Sequence, residues 1–141
     1  MDDILYILEG DPIPLARCRY AKHTRSVFDP QKTLKLVSQL TLKHQHGENP
    51  YYKGPLRLEA LFYFHIPKTH RTTHPGDHHI YRPDGDNLLK LIMDLGTGIL
   101  WKEDCIIAEF ECKKLYGRIP RTEFLVIELD KHEKEKKSNK V

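Results

Sequence analysis

Nowhere in this 141-residue chain does an apolar run approach the roughly 18 residues a membrane-spanning helix needs. Cysteine is scarce as well. Cys18, Cys105 and Cys112 are odd in number and none belongs to a CxxC pair, which argues against a disulfide framework and against a cysteine zinc site. They are expected as small apolar residues, buried or half-buried. The chain opens with two acids, not with the positive charge of a secretory leader, and it contains no internal repeat. On these absences we expect a soluble cytoplasmic protein. Its length and its 39% hydrophobic content suit one domain with a modest core.

Charge is present in both signs, and its distribution carries more than its sum. Residues 131–141 hold five lysines and two glutamates, which accounts for the whole net charge of +3 and predicts a lysine-rich flexible tail after a domain of residues 1–130. Within that domain the bases are clustered. Arg17, Arg19, Lys22 and Arg25 stand in a segment without an acid. A second cluster contains Lys113, Lys114, Arg118 and Arg121, and a third contains Lys68, Arg71 and Arg82 among several histidines. Surfaces of this kind neutralise phosphates, although each segment taken singly also reads as an ordinary solvated loop.

The periodicity predicts an order β-α-β-α-β-β. Residues 3–9 alternate like a strand, and Pro12 and Pro14 then break regular structure. Asp29 and Pro30 suit the N-cap and first position of a helix that runs to about His46, with Leu36, Val37 and Leu40 on its apolar side. Residues 55–66 give the clearest strand, with Leu56, Leu58, Ala60, Phe62 and Phe64 on one face. A polar connection over 67–83 leads to a helix over 86–95. Strands follow over 105–115, with Ile106, Ala108 and Phe110 on one side, and over 122–129. The expected fold is α+β: one mixed sheet with two helices packed on a face.

In "PDGDNLLK" (83–90), Leu88, Leu91, Ile92 and Leu95 form one helical stripe, which puts Asp86, Lys90 and Asp94 on the opposite side. A helix N-terminus favours carboxylates, and one acid here is explained by capping, with Asp86 and Lys90 as an exposed i,i+4 pair. The set is not so explained, because a helix needs one capping side chain and Asp84 and Asp86 offer two. Asp104, in "WKED", adds a third after a turn that can fold back. Crowded carboxylates repel one another unless a cation lies between them. Mg²⁺, with Mn²⁺ as a substitute, takes oxygen ligands and substrate phosphate, activates water and offsets charge during in-line displacement. Lys90 would add positive charge near the phosphate. Acids for a metal, a lysine for a phosphate and basic loops for a polymer together suggest metal-dependent phosphodiester cleavage.

"RPDGDNLLKLIMD" followed by "WKED" resembles the RusA-type Holliday junction resolvases, with their D-x-D-N-L-x-K signature and later aspartate. "RCRYAKHTRSVFDPQKTLK" is similar to the family's arginine-rich stretch before its first helix. The resemblance implies that Asp84, Asp86 and Asp104 bind the metal, that Lys90 is the essential lysine, and that Asn87 supports them, with Glu103 auxiliary. It implies an endonuclease that resolves four-way DNA junctions by symmetric paired nicks in recombination and repair, and a homodimer whose two sites face two opposed strands. Junction shape would then set specificity. Arg17, Arg19, Lys22, Arg25 and Arg82 are the candidates for backbone contacts, with Lys113, Lys114 and Arg118. Gly85 departs from the pattern, where a larger residue is usual, and would loosen the helix entry.

Two other readings compete: a phosphoesterase acting on flap DNA or RNA, and a non-catalytic DNA-binding protein whose acids are only caps. Zinc on His70, His74, Asp77, His78 and His79 is disfavoured, because Pro75 and Gly76 interrupt the loop and no helix fixes the imidazoles. Exposed histidines with partial positive charge near DNA are the preferred reading. Trp101 and Tyr116 are expected in core or rim packing before base stacking.

Overall fold

A strand with every second residue apolar must bury one face, and Leu56–Phe64 does so completely. In the computed structural model, which describes residues 3–129, Leu56, Leu58, Ala60, Phe62 and Phe64 of this strand are all buried. It is the fourth strand, β4, of a chain ordered β1 (Tyr6–Glu9), β2 (Arg19–Ala21), β3 (Ser26–Phe28), α1 (Lys32–His46), β4, α2 (Gly85–Gly96), a 3₁₀ turn (Asp104–Ile106), β5 (Ile107–Tyr116) and β6 (Arg121–Glu128). The main sheet runs β1-β6-β4-β5. β6 is antiparallel to both β1 and β4, and β5 is parallel to β4, so the sheet is mixed. Both helices contribute to the core on the β4 face: Leu42 from α1, and Leu88, Leu91, Ile92 and Leu95 from α2. The α+β class with a mixed sheet and two helices is therefore as the periodicity predicts. No helix among the described residues is long and apolar enough to cross a membrane.

The order differs from the expected one by a two-stranded hairpin, β2–β3, which pairs Arg19 with Phe28, Tyr20 with Val27 and Ala21 with Ser26. Pro12 and Pro14 end regular structure only locally, and the short strands after them carry polar residues that hide their alternation. α1 starts at Lys32, later than an Asp29 cap implies. Asp29 accepts the Gln31 N–H (2.9 Å) and the Lys35 ammonium (2.6 Å) from just outside the helix.

The apolar side expected for α1 is the wrong one. Leu36, Val37 and Leu40 are 57%, 58% and 60% exposed, while Leu42 and His46 are buried. Polar side chains on the inner face add to the docking. Gln45 accepts from the Ile7 N–H (3.0 Å) and donates to the Ile7 carbonyl (2.8 Å), which closes the open edge of β1 at that residue. Lys35 also reaches Asp94 of α2 (3.1 Å), so Asp94 ties the two helices together.

Other expectations change too. Cys18 and Cys105 are exposed and only Cys112 is half-buried; all three are free thiols. On β5 a register irregularity near Leu56/Arg57 leaves Ala108 exposed. Phe110 is paired beside Leu58 yet is still 44% exposed, because β5 is an edge strand. The outer sheet face carries an ion network in which Arg57 meets Glu59, Glu109 and Glu111. The expected tail, 131–141, lies outside the described residues.

At the core margin Tyr6, His46 and Tyr52 form a buried hydrogen-bond chain. The Pro50 carbonyl can only accept, so His46 Nε2 donates to it (3.0 Å) and Nδ1 accepts from the Tyr6 hydroxyl (2.7 Å). The Tyr6 oxygen then accepts from Tyr52 (2.8 Å). Burial, reinforced by Tyr52, pushes the Tyr6 hydroxyl above its usual range, so it stays protonated and can donate. Tyr6→Phe removes the hinge of this chain and strands two buried partners. We expect a loss of about 1–3 kcal/mol in urea unfolding, with the secondary structure unchanged by circular dichroism.

Candidate active site

Position and packing explain why α2 begins where it does. Asp84 occupies the N-cap with extended backbone, but its carboxylate makes no capping hydrogen bond. Leu88 N–H instead bonds the Asp84 carbonyl (3.2 Å). A cap that does not cap leaves a carboxylate at the positive end of the helix free for another partner. Asp86 stands in the first turn, 70% exposed, with the Lys90 ammonium 3.9 Å from its Oδ2. At that distance and exposure the pair adds little stability. Asn87, given a supporting role by resemblance, offers its backbone carbonyl to the Leu15 N–H (3.1 Å).

Gly85 lies close to β5. A Cβ there would lie 3.3 Å from the Cys112 sulfur and 3.9 Å from the Lys114 side chain, which places the first turn close against β5. At the other end, a Cβ on Gly96 would overlap the Trp101 indole, which is fully buried. Trp101 is thus core, as expected, and its indole N–H donates to Thr97 (3.2 Å).

The turn presenting Asp104 starts from this Trp101 anchor, at the C-terminal end of α2, and the 3₁₀ turn leans on the helix. Twelve helical residues span about 18 Å. Asp84 and Asp86 lie at one end and the anchor of Asp104 at the other, and no three His, Cys, Asp or Glu side chains among the described residues converge as a ready metal cage. Among those residues neither Asp84 nor Asp104 has a hydrogen-bond or ion-pair partner for its carboxylate. Glu103, next to Asp104, faces only the Cys105 thiol (3.6 Å). The donor set is exposed hard oxygen, with only Asp86 near a protein cation, Lys90. It fits Mg²⁺, which keeps several waters and takes one or two carboxylates plus phosphate.

The basic residues divide by position. Arg17 and Arg19 lead into and lie on the hairpin, with Lys22 and Arg25 at its tip, all exposed. The Leu15–Asn87 bond runs the chain ahead of Arg17 across the first turn of α2, and Gln31 fixes it further by bonding Ala16 N–H and the Pro14 carbonyl (2.8 Å each). Arg82 is exposed two residues before Asp84. Consecutive strand residues point to opposite faces. Lys114 therefore sits on the helix side beside Gly85, whereas Lys113 joins Glu59, Glu111 and Glu123 on the outer face. Arg118 is exposed in the β5–β6 connection.

A feature the sequence did not disclose is the ordering of the connection 65–83. Gly76 and His79 N–H groups bond the Tyr116 and Lys114 carbonyls, and Tyr116 N–H bonds the Asp77 carbonyl (2.8 Å each), so this stretch extends the sheet beyond β5. Lys114 Nζ holds the Tyr81 carbonyl (2.6 Å). His79 stacks on Phe64 with ring centroids 3.9 Å apart. Burial lowers its pKa below the usual histidine range, with Lys114 and His70 adding repulsion. His79 is therefore not a charged histidine waiting for a phosphate. A histidine held neutral in the fold stabilises the protein fully above the unfolded pKa near 6.5, and that contribution is lost as pH falls below it. We expect the melting temperature to drop between pH 7 and pH 5, and His79→Phe to flatten part of that slope in thermal denaturation.

Comparison with known proteins now joins the geometry. Residues 9–127 match the family described as Endodeoxyribonuclease RusA, a span that holds α2, the Asp104 turn, all three basic clusters and the main sheet apart from its first three residues and its last. A similar protein in Bacillus subtilis (strain 168), the uncharacterized protein YqaN, is 24% identical over 140 residues, covering 92% of this chain and 99% of the relative. With the match running through nearly the whole folded core and through every acid and the lysine of the α2 site, the chain belongs to the RusA endodeoxyribonuclease family.

Proposed function

We propose that this nuclease is a metal-dependent resolvase that cuts four-way DNA junctions by paired nicks, with Asp84, Asp86 and Asp104 as metal-binding acids and Lys90 as the essential lysine. The observation that carries the reading is the Asp84 carboxylate: it stands at a helix N-terminus without capping it, two residues before the Asp86 of an exposed Asp86–Lys90 pair. These acids would hold Mg²⁺, which would supply an activated water and charge compensation on the phosphoryl oxygens. Lys90 sets a positive charge beside the phosphate or the leaving oxygen. Asp84 and Asp86 lie at the end of α2 that faces the Arg17 segment and Arg82, so a strand lying across that end meets acids and bases together. Asp104 stands on the turn that starts from the other end of α2, so its joining the same metal requires that turn to move toward the helix mouth.

Junction cleavage supplies the test. With Mg²⁺, the wild type is expected to cut a four-way junction in preference to duplex or flap DNA of equal length, and to be inactive with EDTA. Asp84→Asn should lower cutting at least 100-fold while sparing junction binding, since even residues that only orient metal ligands cost 10–100-fold. Lys90→Ala should lower it about 100-fold. Unchanged cutting by Asp84→Asn would defeat the metal assignment, and equal cutting of all three DNAs would defeat the resolvase reading.

A homodimer is part of the same proposal, since two opposed strands need two sites. Leu36, Val37 and Leu40 give α1 an outer apolar stripe with no partner among the described residues, a surface suited to a second copy. Light scattering is expected to give a dimer for the wild type and a monomer for Leu36→Glu/Leu40→Glu. The far-UV spectrum should not change, because both side chains are more than half exposed.

A further inference from the structure

We propose that the cleft between the 65–83 connection and the carboxyl ends of β4 and β5 is a nucleobase subsite, in which a base close to the cut phosphate stacks on Tyr81. The inference rests on the nuclease reading above and adds a recognition element to it.

The cleft measures about 420 Å³, and its walls include Phe64, His70, His79, Tyr81, Arg82 and Tyr116. Phe64 and Tyr116 end the two parallel strands and face each other in register. The bonds that add residues 76–79 to the edge of β5 bring His79 over Phe64 and within 5.1 Å of Tyr116, centroid to centroid. Tyr81 stands edge-on to His79 at 6.1 Å and tilted to His70 at 5.8 Å. Phe64 and Tyr116 are buried and act as a floor, whereas Tyr81 is 59% exposed and presents a ring to solvent.

Three properties select a base as the occupant. Aromatic rings, one of them open, match the π-face that every base offers. Arg82 adds a cation at the rim, and the Lys114 bond to the Tyr81 carbonyl fixes the backbone that carries the open ring. The cleft also leads into the site. Tyr81 precedes Asp84 by three residues, a reach of at most about 11 Å, or about three steps along a DNA strand. A bare phosphate is a poorer fit, because His79, the most enclosed imidazole of the wall, is held neutral. Its Nδ1 is buried without a hydrogen-bond partner, so the wall retains polar capacity that the described residues do not satisfy.

Single-stranded oligonucleotides containing one 2-aminopurine, titrated in Mg²⁺-free buffer, test the subsite without requiring junction cutting. The full-length wild type is expected to quench the fluorescence saturably. Tyr81→Ala should weaken that binding by about 5- to 100-fold, the range of one base–aromatic stack. Tyr81→Phe, which keeps the ring face, should restore it to within about twofold. Circular dichroism checks that each variant is folded. No quenching by wild type, or equal quenching by Tyr81→Ala, overturns the subsite. Ring-dependent quenching by a protein that cuts no junction leaves the subsite standing and overturns the resolvase reading alone.

Discussion

The seating of α2 on the sheet is the constraint on which the site depends. Two glycines allow it: Gly85 lets the first turn approach Cys112 and Lys114, and Gly96 lets the last turn accept the Trp101 indole. Between them the stripe Leu88, Leu91, Ile92 and Leu95 is buried against β4. A helix pinned at both ends cannot rotate, so Asp86 and Lys90 must face outward and Asp84 must stand at the entry. A side chain at Gly96 would collide with the Trp101 indole and disturb the end of the helix that anchors the Asp104 turn, whereas one at Gly85 would make a tight contact with Cys112.

Secondary contacts extend this seating to the DNA-facing elements. Leu15 bonds Asn87, which lays the start of the arginine-rich segment across the first turn of α2, and Gln31 holds the same segment from α1. Lys114 holds Tyr81, which orders the chain immediately before Arg82 and Asp84. Acids, bases and aromatic rings thus meet around one helix end, although they come from four separate stretches of sequence.

Electrostatics gives the two sheet faces different work. On the outer face Arg57 is held among Glu59, Glu109 and Glu111, and Arg121 pairs with Glu123, so charge there is spent within the protein. On the helix side Asp84 and Asp104 have no such partner among the described residues. Exposed carboxylates are hydrated at little cost, and left without a protein partner they stay free to take a divalent ion and a phosphate strand.

Local spacing alone determined much of this protein. The period-two run of β4, the i, i+3, i+4, i+7 stripe of α2 and the D-x-D-N-L-x-K pattern each lie within a dozen residues, so their burial, outward-facing groups and family could be read directly. The tertiary structure decided the rest. Leu36, Val37 and Leu40 formed an inner stripe for α1 on spacing alone, but Leu42 and His46 are its buried residues, and Gln31, Lys35 and Gln45 tether it further through distant backbone groups and Asp94. Adjacent Lys113 and Lys114 were separated by the pleat of β5. The aromatic cleft joins residues 64, 70, 79, 81 and 116 through edge hydrogen bonds that no periodicity announces. Asp104 was placed by Trp101 packing on Gly96, which fixes its turn along the helix and not at its mouth. Sequence fixes which groups can meet along a short segment, whereas packing between distant segments decides which of them do.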